Sequence, residues 1–165
     1  MTLTREEQKQ ARMKAMRLLE HMDRTEKGLT ERLVQAGFSG EAIQDAMDYV
    51  RSYGYIDDAR YAQHYILYRL GIKSKQKILQ ELSQKGIARE TALQAWDAAA
   101  ELEEPDEQRM IRREIEKKYA EGCVLGEKEM RRLYGFLARR GFRSGDISTV
   151  LREMDIQVRY EREEF

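Results

Sequence analysis

Three times along this chain a leucine-led helix end is closed by glycine and then a large apolar residue. The copies are Leu33-Val34-Gln35-Ala36-Gly37-Phe38, Leu82-Ser83-Gln84-Lys85-Gly86-Ile87 and Leu137-Ala138-Arg139-Arg140-Gly141-Phe142. A glycine just past a helix takes the left-handed conformation that closes it, and the apolar residue that follows folds back over the last turn. The copies also align on either side of the stop. Upstream, Leu29 and Leu33 match Ile78 and Leu82, then Leu133 and Leu137; downstream, Ile43 and Met47 match Ala92 and Trp96, then Ile147 and Leu151. Each unit therefore reads as three helices in about fifty residues, too small to bury a core without its neighbours.

This repeat predicts an all-α fold of three tandem three-helix repeats, with about nine helices and no strand pattern long enough to be credible. Charged residues make up 36% of the chain against 41% apolar, which favours a thin, elongated body over a sphere. The expected boundaries are 1–54, 55–104 and 105–155 for the modules, followed by a charged tail over 156–165. The single proline, Pro105, sits at the second boundary.

Composition excludes several function classes. No apolar run is long enough to cross a bilayer, and the start MTLTREEQKQARMK lacks the apolar core of a signal peptide, so a cytoplasmic protein is expected. The lone Cys123 cannot form an internal disulfide. His21 and His64 are the only histidines, and neither has a second histidine or a cysteine nearby. With no HExxH and no GxxxxGK[ST], no enzyme, metal or cofactor is expected. The run Tyr61, Tyr65, Tyr68 has helical spacing and reads as core rather than as a base-stacking platform.

One stretch invites a catalytic reading: Gly54-Tyr55-Ile56-Asp57-Asp58-Ala59-Arg60-Tyr61 sets two carboxylates together with an arginine two residues on. A structural reading accounts for every residue. Gly54 ends one helix; Asp57 caps the next through the free N–H groups of Ala59 or Arg60; Asp58 sits in the first turn, favoured by the helix dipole. Ile56 and Tyr61 have the spacing of a hydrophobic staple.

Formal charge sums to zero, yet it comes in blocks. Arg60 to Arg89 is basic apart from Glu81, Asp97 to Glu107 has six acids and no base, and Lys128 to Arg143 is basic apart from Glu129. In the repeat alignment, Lys73, Lys77, Gln80 and Gln84 share one face of module two's middle helix, and Lys128, Arg132, Gly135 and Arg139 occupy the same places in module three. Module one has Arg24, Gly28, Glu31 and Gln35 there, nearly neutral. A solvated face explains one such stripe; recurrence points to a contact surface made of Lys73, Lys77, Lys128, Arg132, Arg139 and Arg140.

GYIDDARYA at 54–62, KILQELSQKGI at 77–87 and LYGFLARRGF at 133–142 resemble, in order and spacing, the three signature stretches of the RecX family of bacterial RecA regulators. The likeness runs from about Ala15 to Arg152. It implies three tandem three-helix repeats in a curved shape, and a non-enzymatic monomer that binds along the RecA filament, with single-stranded DNA inside the filament as a further partner. It further implies damping of strand exchange, ATP hydrolysis and coprotease activity in DNA repair and the SOS response. Gly54, Tyr55, Ile56, Asp57, Asp58 and Arg60 form the family motif. Lys77 stands where many relatives carry arginine, which weakens any forked contact to carboxylate or phosphate. The alternative is a direct DNA binder with helix-turn-helix-like modules; against it, the stripes offer little Asn or Ser for base edges.

Overall fold

A computed structural model describes residues 3–102 and 106–160. The second module boundary, Glu103 and Glu104 of the acidic block, and the last five residues of the charged tail lie outside the described residues. The elements run α1 (Arg5–His21), α2 (Glu26–Gln35), α3 (Gly40–Ser52), α4 (Asp58–Arg69), α5 (Lys75–Gln84) and α6 (Arg89–Leu102). They continue as α7 (Glu107–Glu116), β1 (Val124–Gly126), α8 (Glu127–Arg139), α9 (Ser144–Glu153) and β2 (Gln157–Arg159).

Several of the helices begin where small polar side chains satisfy the free N–H groups of a first turn. Thr4 accepts from Glu7, Ser39 from Ala42 and Asp106 from Arg109. The three glycine stops share one geometry. Gly37, Gly86 and Gly141 each have φ +89°, and Phe38, Ile87 and Phe142 donate back to Leu33, Leu82 and Leu137 at 3.4, 3.0 and 3.2 Å. These are the six-to-one bonds of Schellman endings. All the aligned apolar residues on either side of the stops are buried, from Leu29 to Leu151.

The chain settles into two compact units. Of the described residues, the first holds 3–68 with 79–101, and the second holds 69–78 with 102 and 106–160; the dividing line falls inside α5. In the first unit α3 packs on α1 and α2 around Ala11, Ala15, Leu29, Leu33, Met47 and Val50. In the second, α9 packs on α7 and α8 around Ile111, Ile115, Leu137, Ile147 and Met154.

The fold is all-α apart from one small addition. Strands β1 and β2 pair in parallel, Val124 with Gln157 and Gly126 with Arg159. Part of the expected charged tail is thus tied down, because Gly122 N–H donates to Met154 O at 2.8 Å and Gln157 N–H to Cys123 O at 3.3 Å. Among the described residues no helix is long and apolar enough to cross a membrane. Of the tyrosine run, Tyr65 is buried and Tyr61 half-buried, but Tyr68 is 79% exposed, since it lies at the end of α4 on the turn away from the packed face.

Candidate partner interface

The second unit brings the start of α5 against the end of α8. Ser74, almost fully buried, caps α5: its Oγ accepts from Lys77 N–H at 3.1 Å, and its own N–H donates to Arg140 O at 3.4 Å. Glu107, the first residue of α7, accepts from Lys75 N–H at 2.7 Å. The fit is tight, because a Cβ on Gly141 would stand 2.3 Å from Ser74 Oγ and 2.5 Å from Lys77 Cβ. Only glycine permits that approach.

This cap corrects one sequence expectation. Lys73 precedes Ser74 and lies outside α5, half-buried, with its N–H donating to Arg69 O at 3.1 Å. It does not share a helical face with Lys77. The reason is that counting back from the glycine stop assumes equal helices, whereas α5 has 10 residues and α8 has 13. Lys77 is itself half-buried beneath Gly141.

Helix α8 carries the exposed charge. Lys128, Arg132 and Arg139 fall at i, i+4 and i+11, and all three are exposed. Gly135 lies in the same row, and the space it leaves is taken by the Arg139 guanidinium, whose Nη1 sits 3.3 Å from where a Cβ would be. From Lys128 to Arg139 the stripe runs about 16 Å at the helical rise. Arg140 is different. Its Nη1 lies 3.3 Å from Glu114 Oε1 and its guanidinium stacks on Phe136, 4.6 Å from the ring centroid. It braces α8 on α7 while its carbonyl holds Ser74. The arrangement thus offers a row of solvated cations for carboxylate or phosphate, with Lys73, Lys77 and Arg140 at its C-terminal end engaged in structure.

The signature stretch at 54–61 is engaged within the first unit. Gly54 has φ +70°, and Tyr55 N–H donates to Val50 O at 2.9 Å. Asp57 Oδ1 accepts from Ala59 and Arg60 at 2.9 and 3.2 Å, and Arg60 Nη1 donates to Gly54 O at 3.1 Å. Ile56 is buried in the first-unit core, and Tyr55 stacks on Tyr53 at 5.5 Å. Asp58 does more than face its own dipole. Its Oδ1 accepts from Glu26 N–H at 2.9 Å, across 32 residues, and burial raises its pKa above the usual carboxylate range. Among the described residues no group of three His, Cys, Asp or Glu is placed to hold a metal.

Sequence reasoning also missed Thr25, one of the two buried polar side chains among the described residues; Ser74 is the other. Thr25 Oγ1 accepts from Gly28 N–H at 3.0 Å and donates to Lys85 O at 2.7 Å. A threonine just ahead of α2 and a serine just ahead of α5 were the available signal.

Comparison with known proteins finds three family descriptions in chain order. "RecX, first three-helix domain" matches residues 11–49, "RecX, second three-helix domain" matches 57–95, and "RecX, third three-helix domain" matches 105–151. A relative from Amycolatopsis mediterranei named "Regulatory protein RecX" is 31% identical over 151 residues, 90% of this chain and 85% of its own. One of the same name from Clostridium perfringens is 28% identical over 146 residues, 85% of this chain and 66% of its own, so the chain spans about two thirds of that relative. In fold, the chain is similar to the crystal structure of RecX from Lactobacillus salivarius. The TM-score is 0.69 and the identity 19%, over 92% of this chain and 99% of that one.

Proposed function

We propose, from the premise that this chain belongs to the RecX family, whose members are named regulatory proteins, that it is a non-enzymatic regulator of the RecA recombinase. In this reading it binds RecA filaments on DNA in the cytoplasm and damps their recombinase, ATPase and coprotease activities. The observation that carries the site is the exposed row Lys128, Arg132 and Arg139 on α8. Such a row meets a carboxylate- or phosphate-bearing surface favourably and fixes register more than it adds affinity. Lys73, Lys77 and Arg140 support it at one end by holding the α5–α8 joint rather than by reaching outward.

Co-sedimentation with RecA filaments on single-stranded DNA, against the same DNA without RecA, tests the partner. Tight binding is expected only with RecA present. A steep fall of binding with salt on DNA alone would instead identify a direct DNA binder. Reversing Lys128, Arg132 and Arg139 to glutamate alters solvated side chains, so helix content should persist while inhibition of RecA-dependent ATP hydrolysis falls about tenfold or more. Arg32→Glu, on an exposed position of α2, is the control with little expected effect. Intact inhibition by the folded triple variant would move the contact off α8.

A further inference from the structure

The first unit carries a second basic surface that the α8 row does not include. An open groove of about 470 Å³ runs along α1 beside Tyr49 of α3. Its apolar lining is Met13, Met16 and Tyr49, with Met13 46% exposed. Its rim holds Arg5, Lys9 and Arg17, all exposed, against the single acid Glu20. Two other lining residues are already engaged. Arg12 donates to both oxygens of Asp45 at 2.8 and 2.9 Å, and Gln8 donates to Asp45 at 2.9 Å. Arg5, Lys9 and Arg17 make no ion pair among the described residues.

We propose that this groove is a docking site for an acidic amphipathic helix of a partner protein. The charge balance of the rim calls for carboxylates. Arg5 and Lys9 stand one helical turn apart, and Arg5 to Arg17 spans about 18 Å, the length of about three turns of an incoming helix. The floor calls for aliphatic side chains, since flexible methionines re-pack around apolar anchors, and helix-in-groove binding places such anchors at i, i+3, i+4 and i+7. A nucleic acid strand fits less well. Base stacking needs an open aromatic face, and Tyr49 already has Arg12 over its ring at 4.5 Å and Tyr53 tilted against it at 5.0 Å. The proposal stands apart from the reading of α8, and each surface is tested without the other.

The test uses the full chain and a fluorescent peptide of about 14 residues, with leucines at i, i+3, i+4 and i+7 among glutamates, followed by anisotropy. A scrambled peptide of the same composition and an oligo-dT of about 15 nucleotides are the comparison probes. The amphipathic peptide should bind about tenfold or more tightly than the scrambled one. Arg5→Glu/Lys9→Glu/Arg17→Glu, and separately Met13→Asp, should each weaken it about tenfold, while Arg132→Glu/Arg139→Glu leaves it unchanged. If either variant loses helix by circular dichroism, the alanine replacements of the same three cations take its place, with an expected loss of about threefold or more. Equal binding of the scrambled peptide, tighter binding of oligo-dT, no binding at all, or indifference to both sets of rim variants would each overturn the proposal.

Discussion

The same joint is built twice, and the two copies differ in chemistry. In the first unit the start of α2 meets the end of α5; in the second the start of α5 meets the end of α8. Each uses a capping hydroxyl, a left-handed glycine laid on the first turn, and a carboxylate from the next module's first helix. In the first, Thr25 bridges two elements with a donated and an accepted bond, and the carboxylate is the partly buried Asp58. In the second, Ser74 Oγ accepts locally, the inter-element bond is a longer backbone contact of 3.4 Å, and Glu107 closes a more exposed bond. Backbone geometry repeats because glycine and helix ends impose it; the side chains decide how much each copy depends on burial.

Glycine replacement separates those contributions most sharply. Gly37, Gly86 and Gly141 have the same φ, but a Cβ on Gly37 meets nothing within 4 Å, whereas one on Gly86 meets Lys27 Cβ at 2.5 Å and one on Gly141 meets Ser74 and Lys77. Gly37→Ala should cost only the left-handed penalty, about 1–2 kcal/mol. Gly86→Ala and Gly141→Ala should add about 1–3 kcal/mol of overpacking, with Gly141 the larger because backbone at Lys77 Cα lies 3.2 Å away. Urea midpoints at constant slope give the ranking. Equal losses at all three sites would mean that the joints relax freely.

The stops themselves were legible in the sequence, because a glycine followed by a large apolar residue three times over has one structural use. So were the buried rows, whose spacing is helical. What escaped were partners far apart in the chain. Asp58 reads as a first-turn acid until Glu26 is placed beside it, and Arg139 and Arg140 look equivalent until Glu114 and Phe136 take one of them. Lys73 was misplaced because the repeat fixes helix ends better than helix starts. Strands of three residues, β1 and β2, carry no period to read.

The hydroxyls come next. Thr25→Val removes a buried group that serves both Gly28 N–H and Lys85 O, leaving each unpaired, at a cost of about 1–3 kcal/mol. Ser74→Ala removes a cap without stranding a second element's carbonyl, at about 0.5–2 kcal/mol. Thr25→Ser should restore most of the loss. If Ser74→Ala proves the more costly of the two, the inter-element bond at Thr25 is not what distinguishes the joints.

The smallest effect is electrostatic, and its sign is the test. Asp58 lies at the first joint with its pKa raised, chiefly by burial. Its folded state holds the proton more tightly than the unfolded chain, so it favours folding below the unfolded value of about 4, and that advantage is lost as pH rises through the folded pKa. Asp45 lies away from the joint, its pKa lowered chiefly by the Arg12 hydrogen bond. Its contribution is present above about pH 4 and is lost as pH falls through the folded pKa. Asp58→Asn keeps an acceptor for Glu26 N–H and removes the buried charge, so it should gain on the wild type as pH rises from about 3 to 7. Asp45→Asn gives up the ion pair, so its deficit should be greatest near neutrality and shrink in acid. Melting temperatures across that range should therefore diverge in opposite directions from the wild-type curve. If both variants shift the same way, Asp58 is solvated enough to behave as an ordinary cap, and burial of its charge is not what sets the first joint apart.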